Sequence, residues 1–213
     1  LEFSEEAARF GLALVDASQT ATFADYDCDG DLDAFVLTNR YIREGGLPEK
    51  QPVEIVARKA RLLPGFERFY TLNWVTPTRF LIGPVGRKDR LLRNDGGKFV
   101  EVSDAAGITE PGEGLSATWW DYNSDGWLDL YVGNDFQDPD HLYKNNLDGT
   151  FTDVLDSVVP HTSWYSMGAD AADLNNDGLM DFLTADMSAT SHFKQKTTMG
   201  AMGKFRDFLE NAR

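Results

Sequence analysis

Twelve oxygen-bearing side chains fall at the same four offsets in three short loops of this 213-residue chain. Asp25, Asp27, Asp29 and Asp33 form the first set, Asp121, Asn123, Asp125 and Asp129 the second, and Asp173, Asn175, Asp177 and Asp181 the third. Each loop reads D-x-[DN]-x-D-G-x-x-D. Alternate side chains on a tightly curved loop converge on one point, and calcium takes about six to eight oxygens at roughly 2.3–2.6 Å. The glycine at position six (Gly30, Gly126, Gly178) supplies the bend, because without a Cβ it enters backbone regions that other residues avoid. The carbonyl of position seven (Asp31, Trp127, Leu179) offers one more oxygen. Three Ca2+ sites are therefore expected.

Clusters such as D-G and N-D-G also serve as ordinary hairpin turns, which accounts for the glycines and for one acid per loop. It does not account for four oxygen side chains at the same offsets in three copies. Carboxylates crowded together also repel one another unless a cation intervenes. Magnesium fits less well, since it demands a smaller octahedral shell and keeps its waters. Transition metals find no His or Cys at the ligand offsets, and Cys28, at position four, is expected to point outward. An EF-hand needs a glutamate at position twelve, where this chain has Val36, Val132 and Thr184. It also needs flanking helices, and the flanks here are β-prone.

Such loops need elements to hold them, and the sequence repeats around them. Residues 21–39 (ATFADYDCDGDLDAFVLTN), 117–135 (ATWWDYNSDGWLDLYVGND) and 169–187 (ADAADLNNDGLMDFLTADM) align without gaps. A second motif, residues 89–108 (DRLLRNDGGKFVEVSDAAGI), resembles 140–159 (DHLYKNNLDGTFTDVLDSVV), and its tail recurs at 3–12 (FSEEAARFGL). Asp25 and Asp121 are 96 positions apart, as are Phe3 and Phe99; Asp121 and Asp173 are 52 apart, as are Phe99 and Phe151. Two unrelated motifs thus shift in step. The unit is 52 residues, and the first copy carries an insertion of the difference, 44, at about 41–86. That insertion, rich in Pro, Arg and Glu, is expected to pack on one face as an elaborated loop.

Short β-prone runs flank each loop, about four per unit, which is the size of a propeller blade. The expected fold class is all-β: a partial β-propeller of about three four-stranded blades with calcium loops. Unit one spans about 13–104, unit two 115–156 and unit three begins near 168, while 1–12 supply the tail strand of a preceding unit. The spacing of Met199, Met202, Phe205 and Phe208 predicts a short C-terminal helix. Three blades do not close a ring. Apolar faces at Phe35, Val36 and Leu37, and at Phe182, Leu183 and Met187, are expected to be covered by further blades, a second copy or the chain's own insertion and helix.

Composition narrows the function. A net charge of −15 argues against nucleic acid and anionic membranes as partners. No apolar run reaches the length of a membrane span. With one cysteine there is no intrachain disulfide. The chain starts at Leu1 without a signal peptide, which suggests a processed or trimmed N-terminus. His141, His161 and His192 sit in no catalytic pattern, and neither HExxH nor G-x-S-x-G is present. No enzyme is expected. Trp119, Trp120 and Trp164 would suit a glycan platform if exposed, although Trp119 aligns with Phe23 and Ala171 and reads as packing.

The loops resemble the calcium loops of FG-GAP and VCBS repeats, the blades of integrin-α-type β-propellers. More narrowly, FADYDCDGDLD, GRKDRLLRNDGGKFVEVSDAAGI and HTSWYSMGADAADLNNDGLMDFLTADM resemble the secreted repeat proteins related to cartilage acidic protein. Those proteins often carry a C-terminal ASPIC/UnbV domain, which these residues lack. The resemblance implies a calcium-binding scaffold, extracellular, cell-surface or periplasmic, that recognises a protein or glycan in adhesion or matrix roles. The alternatives are a structural subunit assembled from incomplete propellers, and accessory blades of a larger secreted enzyme.

Overall fold

The structure, a computed structural model, describes residues 3–57, 59–77, 79–135, 138–163 and 165–187. A one-turn helix, α1 (Ala7–Phe10), leads into β1 (Ser18–Ala24), and the first nine-residue loop turns the chain back into β2 (Asp33–Thr38). Two hairpins follow, β3 (Val53–Val56) with β4 (Lys59–Leu62) and β5 (Tyr70–Thr76) with β6 (Arg79–Pro84). After the two-residue β7 (Arg87–Lys88), β8 (Arg90–Asn94) returns to pair with β2, and β9 (Phe99–Glu101) completes a four-stranded antiparallel sheet in the order β1-β2-β8-β9. The insertion, expected as an elaborated loop, thus contains two hairpins. Its strand signal is the period-two pattern of VEIV and YTLNW.

The same layout recurs. α2 (Ser103–Ala106) and β10 (Pro111–Gly112), which pairs with β7, lead into β11 (Gly114–Trp120). The second loop, β12 (Asp129–Asn134), β13 (His141–Asn145) and β14 (Phe151–Asp153) then form a second sheet in the order β11-β12-β13-β14. After α3 (Leu155–Val158) come β15 (Ser166–Ala172), the third loop and β16 (Asp181–Asp186), a pair of strands among the described residues. The three first hairpins share one register. Ala24↔Asp33, Trp120↔Asp129 and Ala172↔Asp181 flank the loops, and each hairpin has one irregularity two residues into its first strand. Two sheets therefore match the expected four strands and the third shows two. The helix expected near the C-terminus lies outside the described residues.

The sheets stack face to face, and their cores are inter-sheet. Phe35, Leu37 and Leu91 of the first sheet meet Leu130, Val132 and Tyr143 of the second, with Trp119 wedged against Tyr26 and Phe35. On the far side of the second sheet, Trp120 stacks on Phe182 with ring centroids 4.3 Å apart. Burying such a pair contributes several kcal/mol, on the order of 3–5 for each large aromatic.

Three sequence expectations change here. Phe35, Val36 and Leu37 are buried, because β2 is flanked by β1 and β8, one face meets the second sheet, and Leu12, Leu14 and Phe99 cover Val36. On the first sheet Phe23, the counterpart of the packed Trp119, is left open at 57% exposure. Trp120 is buried, so it offers no glycan platform.

The turn after each helix explains the shared tail motif. Gly11 and Gly107 take φ of 79° and 82°, and a Cβ on Gly11 would lie 2.3 Å from the Phe99 carbonyl oxygen of the first sheet. At Gly107 the facing atom is the Phe151 carbonyl oxygen of the second sheet. Each tail thus packs closely on the fourth strand of the following unit, where only glycine fits. No helix among the described residues is long and apolar enough to cross a membrane.

Candidate metal centres

All three loops close with one hydrogen-bond network. The position-five N–H donates to Oδ1 of the first aspartate at 3.0 Å in loops one and two and 3.1 Å in loop three. The position-six N–H donates to its other oxygen, at 3.1, 2.7 and 2.9 Å. The N–H of position seven (Asp31, Trp127, Leu179) donates to Oδ1 of position five at 2.9–3.0 Å. Position four is left-handed each time, at φ 58° for Cys28, 60° for Ser124 and 61° for Asn176. A non-glycine residue in that region costs of order 1 kcal/mol, and its recurrence shows that the curvature is imposed by the loop as a whole. Cys28 is exposed, as expected.

Position nine stands apart. Asp33 and Asp129 are fully buried. One oxygen of each accepts the position-two N–H, from Tyr26 and Tyr122, at 3.2 Å. The other accepts the N–H that ends the third strand, from Asn94 at 2.8 Å and from Asn145 at 2.7 Å. Burial, only partly offset by these donors, pushes both carboxyls up to about 6. A cation beside them would favour the charged form. In the third loop, Asp181 accepts from Leu174 N–H at 3.0 Å.

The first loop brings its acids together most clearly. Oxygens of Asp25, Asp27 and Asp29 all lie within 4.8 Å of one another, and Asp33 is not in that group. Oδ1 of Asp27 is buried with no hydrogen-bond partner. Burial, followed by the charge of Asp29, raises the Asp27 pKa. Three carboxylates this close, one of them with a buried oxygen that has no hydrogen-bond partner, form a donor set that a hard cation neutralises. Asp121, Asn123 and Asp125, and Asp173, Asn175 and Asp177, repeat the framework with an amide at position three. In loop two Asn123 Nδ2 donates to Asp125 Oδ2 at 2.9 Å. At position seven Asp31 and Trp127 are half-buried and Leu179 is exposed, and each is tied to the loop through its backbone N–H. The residues present fit calcium.

Sequence reasoning missed Asn94 and Asn145. Their signal was the shared D-x-L-x-x-N of 89–94 and 140–145. Asn145 Nδ2 also donates to the Tyr26 carbonyl at 2.8 Å, which ties the second sheet to the first loop.

His141 looks like half of a catalytic dyad, with Nδ1 2.7 Å from Asp153 Oδ2. Arg90 and Glu101 hold the equivalent cross-strand positions in the first sheet, 2.6 Å apart, so the pair belongs to the repeat. At the strand ends opposite the loops, a cavity of about 500 Å³ opens between the β5–β6 hairpin and the sheets. Tyr70, Ile82, Tyr165 and the ion-paired Arg40 and Glu113 line it.

One comparison with known families bears on this geometry. Residues 121–184 match the family described as the FG-GAP-like repeat. The match runs from the first residue of loop two through loop three into β16 and so covers the repeat period read above. Residues 121–184 thus carry an FG-GAP-like repeat. No curated protein matches the chain.

Proposed function

We propose that the chain is a calcium-stabilised, extracellular recognition scaffold. The observation that carries this reading is the convergence of Asp25, Asp27 and Asp29, with oxygens within 4.8 Å of one another, at a loop where Asp27 Oδ1 is buried without a hydrogen-bond partner. Calcium would draw on Asp25, Asp27, Asp29 and Asp33 in the first loop and on their counterparts in the other two. When bound, it neutralises charge that otherwise strains the folded loops. Exposed loops of this kind suit the calcium-rich space outside the cell.

Catalysis has no part in this reading, since His141 and Asp153 form a structural pair. The occupant is a protein or glycan of an adhesion or matrix kind, by likeness to cartilage acidic protein and its relatives. The cavity beside the inserted hairpins offers such a partner both aromatic and charged groups. A structural subunit is the second reading, favoured by the exposed Phe23 and Leu183 on the outer sheets.

Thermal unfolding in calcium, magnesium and EDTA tests the central claim. Calcium at a hundredfold excess over its dissociation constant should add about 2.7 kcal/mol per occupied site. EDTA should lower Tm by many degrees, and magnesium should restore little of it. Identical melting in calcium and EDTA would refute the reading.

A further inference from the structure

The positive charge of this acidic chain is gathered in one stretch. Residues 39–89, between β2 and β8, hold ten of the 20 Lys and Arg but five of the 35 Asp and Glu, a net of +5 against −20 for the remainder. Most of those five acids are already engaged. Asp89 is buried, Glu54 pairs with Arg61 at 2.8 Å, and Glu67 accepts the Gly65 N–H at 2.8 Å. The inserted hairpins therefore bring a basic surface to a molecule that is otherwise strongly acidic.

The arginines of this stretch sit on aromatic rings. The Arg43 guanidinium lies 5.2 Å from the centre of the Phe66 ring, and that of Arg68 lies 4.4 Å from Tyr41 and 5.8 Å from Phe69. Arg87 lies 4.6 Å from the same Tyr41 ring. Tyr70 links the two ends, with its ring 6.4 Å from both Phe66 and Phe69. Arg87 and Arg90 both hold the buried side chain of Asp16, at 2.9 and 2.8 Å, which anchors that end. Contacts thus run without a break from Arg43 to Arg90. Among the described residues neither Arg43 nor Arg68 has a carboxylate partner. Beside Arg87 a cavity of about 330 Å³ opens among Asp16, Lys88, Arg90 and Glu101, and Arg90 carries a buried Nε with no hydrogen-bond partner.

We propose that this row of guanidiniums is the docking surface for a sulfated and carboxylated polysaccharide. The proposal rests on the reading of the chain as a recognition scaffold, whose partner it narrows, and makes no use of the calcium loops. A guanidinium seated on a ring is held in place yet keeps N–H groups for an oxyanion, and it sheds water more readily than an ammonium. Sulfates and carboxylates repeated along a flexible chain match guanidiniums repeated along a surface. The rings beneath already carry guanidiniums, so the row presents charge rather than the apolar centre that a protein partner buries. Repulsion from the acidic remainder confines a polyanion to this row.

The test is binding of the full chain, in calcium, to heparin, with neutral dextran and poly-glutamate as comparisons. Heparin should bind saturably and more weakly as salt rises, because exposed charges are screened. Dextran should not bind, and poly-glutamate should bind more weakly than heparin. Arg43→Gln combined with Arg68→Gln should weaken heparin binding by about tenfold or more, the loss expected when charge-assisted hydrogen bonds go. Arg9→Gln combined with Lys98→Gln removes the same charge from exposed positions elsewhere and should leave binding nearly unchanged. On the unaltered chain, heparin should shift the amide resonances of 41–46 and 66–70 before those of the three nine-residue loops. No binding of heparin, undiminished binding after the Arg43 and Arg68 substitutions, or equal weakening by the Arg9 and Lys98 pair would overturn the proposal. So would resonance shifts centred elsewhere, or equal affinity for poly-glutamate, which would point to an acidic protein. Melting in calcium and EDTA is a separate readout, so the calcium reading and this one fail independently.

Discussion

The backbone N–H of Asn145 donates to the buried carboxylate of Asp129 at 2.7 Å, across 16 positions of sequence. The last residue of a candidate metal loop is thereby also the pin for a strand two elements further on. Loop and sheet share one side chain.

That dual role separates two substitutions in the same loop. Asp129→Ala leaves the Asn145 and Tyr122 N–H groups unsatisfied in a buried site and should cost about 2–4 kcal/mol even in EDTA. Asp121→Ala removes a half-buried carboxylate and should cost about 1 kcal/mol without metal. In calcium both should lose the second loop's binding. Urea titrations with and without EDTA measure the contrast; equal losses in EDTA would mean that position nine is no pin.

Asn123→Asp should give the second loop the ligand set of the first. Added negative charge raises calcium affinity, here by on the order of tenfold, and it weakens the metal-free protein through repulsion of Asp121 and Asp125. Calorimetric titration would show the tighter site. Unchanged affinity would remove position three from the ligand set.

Asp89 provides a pH signature away from the loops. Its counterpart Asp140 accepts from Ser166 and Tyr131 hydroxyls as well as from a backbone N–H. Asp89 has the Thr38 N–H and hydroxyl, and burial pushes it up to about 7 from an ordinary 3.8. A folded value above the unfolded one means that the folded state holds the proton more tightly. This contribution to stability is complete below 3.8 and is lost as pH rises to about 7. Asp89→Asn keeps an acceptor for Thr38 and should flatten the decline over that window. Denaturation midpoints measured from pH 4 to 8 on both proteins test it; parallel profiles would mean that Asp89 is charged throughout.

Trp120→Ala should release the third unit. The ring stacks on Phe182 and touches Tyr131, so its loss opens the contact between the second and third sheets at a cost of about 3–5 kcal/mol. Hydrogen exchange should accelerate in 166–172 and 181–186 before it does in β2 or β8. Uniform acceleration would show that the three units unfold as one.

What the sequence determined by itself is local. The three loops and the glycine bends that curve them depend on residues within nine positions of one another, so spacing alone reveals them. The 52-residue period was legible for the same reason, since each unit repeats its own short-range rules. Tertiary structure decided whatever depends on a neighbour. Phe35 and Leu37 are core because a second sheet lies against them, and Phe23, with the pattern of a core residue, is exposed because nothing described lies against it. Trp120 became a packing residue when Phe182 met it. Asp33 and Asp129 became pins when Asn94 and Asn145 arrived from 61 and 16 positions away. A β-strand's pattern shows that two faces differ, while which face is covered, and by what, is set by contacts whose partners lie far along the chain.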